Sequence, residues 1–274
     1  MVEILSQVRH PTLRRDFQVE LLRMIKIKSL CVGSRLLPMS FQCERGEVVH
    51  VVGPNGSGKS TLLSAIAGVL DYQGQALVDG VDVKNVTLKE LALKRAYLSQ
   101  SERPAFNIEV FQYLALSVPE HTCATQETIG EVIAHLTQLV DIRDKLHRSI
   151  NQLSGGEWQR VRLAAICLQV WPSLNPNAKA LFLDEPAAPL DIGQEALLYQ
   201  LIREVAQQGI CVVMANHDLN RTLRLADKAI LLDKGVLQSV GTAKEVLNPQ
   251  RLSDVFKTRV KMLDLEGQPY LIFD

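Results

Sequence analysis

Three short stretches of this 274-residue chain combine residue types suited to phosphate chemistry. The first, Gly53-Pro54-Asn55-Gly56-Ser57-Gly58-Lys59-Ser60, satisfies G-x-x-x-x-G-K-[S/T] and runs on into Thr61. Glycines let successive backbone N–H groups curl around an anion at a helix N-terminus, where the peptide dipoles also favour negative charge. Lys59 can then meet the β- and γ-phosphates of a nucleotide, and the Ser60 hydroxyl can ligate Mg²⁺. At average composition such a match arises by chance in roughly 1% of chains this long, so a glycine-rich turn without a ligand is the poorer reading. The second stretch, Leu181-Phe182-Leu183-Asp184-Glu185, sets two carboxylates at the end of an apolar run. Asp184 suits the shell of a Mg²⁺ ion, and Glu185 suits a base that orients water for attack on a phosphate. By itself this pattern is better explained by a solvated strand end.

The third stretch, Leu153-Ser154-Gly155-Gly156-Glu157, is the sharpest feature of the chain. Ser154 with Glu157 three residues later is a capping box, and Val161, Ala164, Ala165 and Leu168 are expected on one face of the helix it opens. A capped helix alone does not account for Gly155 and Gly156, which weaken a first turn by about 1 kcal/mol each. They make sense where something must approach the backbone closely, which points to a second anion-binding helix start.

The elements that must position these residues are of the α/β class. Five apolar, β-branched runs read as buried strands: 48–52, 96–99, 180–184, 211–215 and 229–232. Helical periodicity follows most of them, so a largely parallel sheet covered by helices is expected, with the phosphate loop directly after the first of these strands. Between Gln100 and Ser154 the pattern changes to helical segments near Glu109–Ser117 and Glu127–Val140, an inserted helical part. Residues 171–177 read as an irregular loop, and 260–265 with 268–273 as a terminal hairpin. Residues 1–23 lack this patterning. Strand alternation starts with Ile25-Lys26-Ile27-Lys28, which makes Met24 a candidate start and 1–23 a candidate non-native extension. The working division is one domain over 24–274. Residues 24–100 and 155–240 form its α/β core, 101–154 its helical subdomain and 241–274 an appendage.

Composition narrows the function classes. Thirty Lys plus Arg balance thirty Asp plus Glu, so no net field attracts a polyanion, and binding to nucleic acid is not expected. The five cysteines are scattered, with no C-x-x-C pair; each reads as a small buried hydrophobe rather than a disulfide or zinc ligand. No apolar run is long enough for a membrane-crossing helix and the first residues hold no signal-peptide block, so a cytoplasmic protein with at most a peripheral membrane role is expected.

Taken in order and spacing, Gly53–Ser60, Gln100, Leu153–Glu157, Asp184-Glu185 and His217 resemble the ABC (ATP-binding cassette) ATPases, over residues 24 to about 250. The resemblance implies ATP with Mg²⁺ as the ligands, Gln100 as a sensor of metal and water beside the membrane partner, and His217 as a contact to the γ-phosphate. As an isolated residue, His217 reads more readily as a hydrogen-bonded core histidine, so its assignment rests on the other motifs. The same resemblance implies that Ser154, Gly155 and Gly156 of one copy face the phosphate loop of another, with Asp191 at the contact, so that a homodimer is the catalytic unit. Arg95–Gln100, Asn151–Ala165, Asn175–Ala178 and His217–Asn220 resemble more narrowly the ATPase subunits of bacterial vitamin B12 importers, with siderophore and haem importers as neighbours. That likeness implies two copies of a membrane permease, a periplasmic binding protein acting indirectly, and a place on the cytoplasmic face of the inner membrane. Two departures stand out: Leu30, Cys31 and Val32 occupy the region where such proteins usually carry an adenine-stacking aromatic, and Pro189 stands where Ser or Ala is usual.

Overall fold

Aliphatic and β-branched runs without polar interruption are suited to strands covered on both faces. In the computed structural model, which describes residues 23–100 and 103–274, β3 (Val48–Val52), β7 (Ala180–Leu183) and β8 (Cys211–Ala215) are buried along their whole length. With β6 (Arg95–Leu98), β9 (Lys228–Asp233) and β10 (Val236–Thr242) they form a six-stranded sheet in the order β10-β9-β3-β8-β7-β6. Pairing is parallel from β9 through β6, and β10 runs antiparallel at the edge. The expected extension at residues 1–23 lies outside the described residues apart from Arg23, which opens β1 (Arg23–Val32).

Alternation along the central strands divides the core into two layers. Val48, Leu181, Leu183, Val212 and Met214 face a cluster built with α3 (Val110–Leu116), α4 (Gln126–Leu139), α5 (Gly155–Val170) and α6 (Ile192–Gln207). Val49, Val51, Phe182, Val213 and Ala215 face the other way, against α1 (Lys59–Ile66), α2 (Leu88–Lys94) and a second sheet. That sheet is antiparallel, β2-β1-β4-β5, with β2 at Leu36–Glu44, β4 at Gln73–Val78 and β5 at Val81–Asp82. Beyond the strand at Ile25, the sequence reading did not anticipate it. Its β2 alternates well, with Leu36, Met39, Phe41 and Cys43 buried, but Pro38 and an irregular register against β1 blur the pattern.

The helix α5 also departs from expectation. It is buried around most of its circumference, from Trp158 through Leu168, rather than along one face, because β6 packs on one side of it and α3 and α4 on the other. Three cysteines are buried as expected, but Cys31 is half-buried and Cys123 exposed, which corrects the uniform reading of all five. The tail folds back through α7 (Leu219–Leu225), α8 (Ala243–Val246) and α9 (Pro249–Phe256) to the hairpin β11 (Val260–Leu265) and β12 (Gln268–Phe273). Asn220 on α7 anchors that hairpin, accepting from Leu271 N at 2.7 Å and donating to Leu271 O at 3.0 Å. Among the described residues no helix is long and apolar enough to cross a membrane.

His50 sits fully buried in the middle of β3, where desolvation, aided by the charge of Arg203, pulls its pKa from 6.5 down to about 3. Between those two values the unfolded chain binds a proton that the folded chain does not, so stability is intact above pH 6.5 and declines as pH falls toward 3. The slope from one such group is at most about 1.4 kcal/mol per pH unit. Urea unfolding between pH 7 and pH 5 is expected to show a steeper loss of stability for the native chain than for His50→Leu; equal slopes would contradict this assignment.

Candidate functional site

Parallel strands deliver their C-terminal ends to one edge of a sheet, and the strand order decides which loops become neighbours. Here β3 leads into the glycine-rich loop, β8 into Asn216-His217, β7 into Asp184-Glu185 and β6 into Ser99-Gln100, on four consecutive strands. These loops border a cavity of about 800 Å³, lined by Asn55–Thr61, Gln100, Glu185 and His217, with Ser34, Arg35 and Lys234 on its wall.

The loop needs glycine at its first position. Gly53 has φ 151°, and a Cβ there would lie 2.1 Å from the Leu232 carbonyl oxygen. Lys59 is folded inward, donating to Gly53 O at 3.0 Å and Pro54 O at 3.2 Å. Burial pulls its pKa down, opposed by the carboxylates of Glu185 and Asp184. Ser60 donates to Asp184 Oδ1 at 2.9 Å. Burial pushes the Asp184 carboxyl up in pKa, the Ser60 hydrogen bond opposes that shift, and the neighbouring Glu185 charge adds to it. Glu185 stands at φ 50°, where the chain turns sharply off β7. Gln100 Nε2 donates to its Oε2 at 2.8 Å, and His217 Nε2 lies 2.5 Å from its Oε1. One carboxylate is thereby gripped by side chains from two flanking strands, beside a loop shaped for phosphate. The isolated-residue reading of His217 as a core histidine does not hold, because its side chain is 46% exposed at the cavity.

The third stretch lies elsewhere. Ser154, Gly155, Gly156 and Asp191 do not line the phosphate cavity. The capping box forms as expected, Glu157 N donating to Ser154 Oγ at 3.2 Å and Ser154 N to Glu157 Oε2 at 2.7 Å. At Gly155 an added Cβ would meet nothing within 4 Å, whereas at Gly156 it would lie 2.5 Å from Gln194 Oε1 and 3.4 Å from Pro189 O. The helix start is open to an approaching partner on one side and packed on the Pro189 loop on the other. Asp191 caps α6, its Oδ1 accepting from Gln194 N at 2.8 Å. The loop's backbone bonds bypass Pro189, running Ala188 N to Glu185 O at 3.3 Å and Leu190 N to Ala187 O at 2.9 Å.

Several residues escaped the sequence reading. Arg103 donates to the carbonyls of Asn151, Leu153 and Ser154, tying the chain after Gln100 to the glycine pair. Arg162 reaches Ser99 O, and Gln159 Nε2 reaches Pro186 O at 2.9 Å, which fastens α5 to the exits of both β6 and β7. The signal available was the presence of Gln159 and Arg162, one turn apart, on a helix otherwise rich in apolar residues. Leu30 is fully buried, and the cavity wall near it is supplied by Ser34 and Arg35 instead.

Comparison with known proteins gives a consistent result. A family model described as ABC transporter matches residues 36–188. The chain is 62% identical over 251 residues to the vitamin B12 import ATP-binding protein BtuD of Vibrio atlanticus (strain LGP32), covering 91% of this chain and 100% of that protein. It is 58% identical to the protein of the same name from Vibrio cholerae serotype O1 (strain M66-2), covering 92% of this chain and 100% of the relative. Among solved structures, cbiO1 from Clostridium perfringens, part of the ABC transporter complex cbiONQ, superposes with a TM-score of 0.70 at 23% identity, covering 84% of this chain and 94% of that one. The ADP conformation of MJ1267, an ATP-binding cassette of an ABC transporter, gives 0.69 at 21% identity, covering 86% and 98%. At those identities the structures speak to the fold alone.

Lys59 is the one cation inside the phosphate loop, so Lys59→Ala is expected to lower ATP hydrolysis at least about 100-fold, read as phosphate release, with Tm changed little. Hydrolysis within severalfold of the native rate would contradict the role of this loop.

Proposed function

Because the chain belongs to the ABC transporter ATP-binding family, we propose that it is the ATP-hydrolysing motor of a bacterial vitamin B12 importer. The observation that carries the catalytic part is the grip on Glu185 by Gln100 and His217 beside the phosphate loop. The backbone N–H groups of Gly56–Ser60 and the Lys59 ammonium bind and orient the triphosphate. Approach of the γ-phosphate offers His217 an anionic partner and loosens its hold on Glu185, leaving Oε1 free to accept a proton from water directed at phosphorus. Gln100 keeps the other oxygen oriented.

The donor set also fits Mg²⁺. The Ser60 hydroxyl and Asp184 carboxylate are already 2.9 Å apart, Gln100 is held on the adjacent Glu185, and all three carry the hard oxygen donors that Mg²⁺ prefers. When bound, Mg²⁺ would be held by Ser60 and Asp184 with Gln100 nearby, and would supply positive charge against that of the triphosphate.

The catalytic unit is a homodimer in which Ser154, Gly155 and Gly156 of one copy close over the nucleotide of the other, with Asp191 near the contact. What supports this is the open backbone at Gly155 and the separation of these residues from the phosphate cavity of their own chain. Within one ATPase domain over 24–274, the segment 101–154 is the helical subdomain, Gln100 lies where the permease docks, and 1–23 is dispensable. Identities of 58% and 62% to proteins named as vitamin B12 import ATP-binding proteins support the substrate, and with it two permease copies at the cytoplasmic face of the inner membrane.

Two experiments test these readings. Glu185→Gln removes the base and keeps both hydrogen-bonding positions, so it is expected to bind ATP, hydrolyse it at least about 100-fold more slowly and accumulate as a dimer in sizing chromatography with Mg-ATP; a monomer that binds ATP tightly would contradict the dimer. Cells lacking the protein are expected to fail on limiting external cobalamin while still taking up iron from siderophores. Lost siderophore or haem uptake with normal cobalamin use would move the substrate to those importers.

A further inference from the structure

His50 has no part in the chemistry described above, yet it is a wholly buried imidazole on the strand that enters the phosphate loop. Its Nδ1 lies 3.0 Å from Thr222 Oγ1 and 3.2 Å from Asn216 Nδ2, while its Nε2 meets no hydrogen-bond partner among the described residues. Asn216 immediately precedes His217. Its Nδ2 donates to Tyr199 OH at 3.0 Å and to Thr222 Oγ1 at 3.3 Å, and its Oδ1 accepts from Asp218 N at 3.2 Å. Thr222 Oγ1 in turn donates to Asp218 O at 2.9 Å. His50, Asn216 and Thr222 are each buried.

The donors and acceptors choose the tautomer. Thr222 spends its one proton on Asp218 O, so its oxygen can only accept from the ring. With the ring proton on Nδ1, it donates to Thr222 and both Asn216 N–H groups find oxygens; the 3.2 Å approach of Asn216 Nδ2 to Nδ1 is then a close contact rather than a hydrogen bond, and a bare Nε2 lone pair is left over. With the proton on Nε2, a buried N–H donor would be stranded and the contact between Nδ1 and Thr222 would hold two acceptors and no proton. The first arrangement forms a one-way chain from Nδ1–H to the Thr222 hydroxyl to the Asp218 carbonyl. Desolvation keeps the ring neutral, with a pKa lowered to about 3, so this chain does not reverse by protonation near neutral pH.

We propose that His50 is a positioning residue of the γ-phosphate site: as a neutral Nδ1–H imidazole it fixes Thr222 and Asn216, and through them the loop that aims His217 at Glu185. Asn216 and Asp218 flank His217 on both sides, and both are held by this cluster. The strand that carries His50 runs into Gly53 three residues on, and Asn216 N donates to Val51 O at 3.0 Å. The phosphate loop and the His217 loop are thereby referenced to one buried imidazole, which rests on the reading of His217 as the group that meets the γ-phosphate.

The test is steady-state ATP hydrolysis by the full chain carrying His50→Leu, His50→Asn, Thr222→Val or His217→Ala, with ¹⁵N NMR of the native histidines. His50→Leu and Thr222→Val are expected to lower kcat about tenfold or more with KM for ATP within about twofold, since phosphate binding is kept and aim is lost. His50→Asn, whose amide places a donor near the Nδ1 position, is expected to recover most of kcat. NMR is expected to show His50 protonated at Nδ1 and not titrating between pH 6 and pH 8. Native kcat in His50→Leu and Thr222→Val alongside an inactive His217→Ala overturns the positioning role and leaves the site reading standing. Lowered Tm with native kcat does the same. A fully active His217→Ala overturns the site reading itself. Should His50→Leu not fold, Thr222→Val and the tautomer decide: an Nε2–H ring, or native kcat in Thr222→Val, ends the proposal.

Discussion

A triphosphate tail concentrates negative charge that must be met at close range by N–H donors and cations, and the architecture follows from that requirement. One glycine loop and Lys59 supply an anion cradle at the start of α1, but the cradle is open to solvent on the side away from the sheet. Lys59, drawn inward to the loop's own carbonyls and lowered in pKa by burial, costs desolvation energy that binding of phosphate returns. A second helix start with a bare backbone at Gly155 offers what the cradle lacks, and it lies outside the cradle of its own chain. In the proposed homodimer, two copies that each lend this helix start to the other would meet the same charge from both sides.

Strand order makes the rest of the site possible. Placing β3, β8, β7 and β6 side by side puts the loop, His217, Glu185 and Gln100 at one edge, although the residues span more than half the chain. The helix α5 then binds this edge to the distant glycine pair. Gln159 and Arg162 grip the exits of β7 and β6, Arg103 holds the carbonyls before Gly155, and Gly156 rests on the Pro189 loop. A few direct contacts among the described residues therefore connect the holders of Glu185 and Gln100 to the helix start at Gly155.

Much of this was legible in the sequence because each catalytic stretch carries its own local signature. The glycine loop after an apolar run, the capping box at Ser154 and the hairpin near the C-terminus depend on neighbours in the chain, and all formed where the residues indicated. What stayed hidden depends on long-range packing. The sheet of β1, β2, β4 and β5 was masked by Pro38 and by register irregularities. The full burial of α5 follows from having neighbours on opposite sides, which periodicity on one helix does not report. Arg103, Arg162 and Gln159 bond to carbonyls far away in sequence, and no spacing rule marks such partners. Ser34 and Arg35 on the cavity wall replace the expected neighbourhood of Leu30 for the same reason: the turn between β1 and β2, not the strand, reaches the cavity.

The composite site is tested most directly by mixing two inactive proteins. Lys59→Ala disables the loop of its own chain, and Gly155→Asp places a carboxylate on the open side of the helix start, where the chain would face its partner's phosphates. In a mixed dimer both defects fall on one site, and the other joins an intact loop to an intact glycine pair. ATP hydrolysis measured on differently tagged, co-purified mixed dimers is predicted to reappear although each variant alone is inactive. Mixed dimers that form and remain as inactive as their parents would contradict the account.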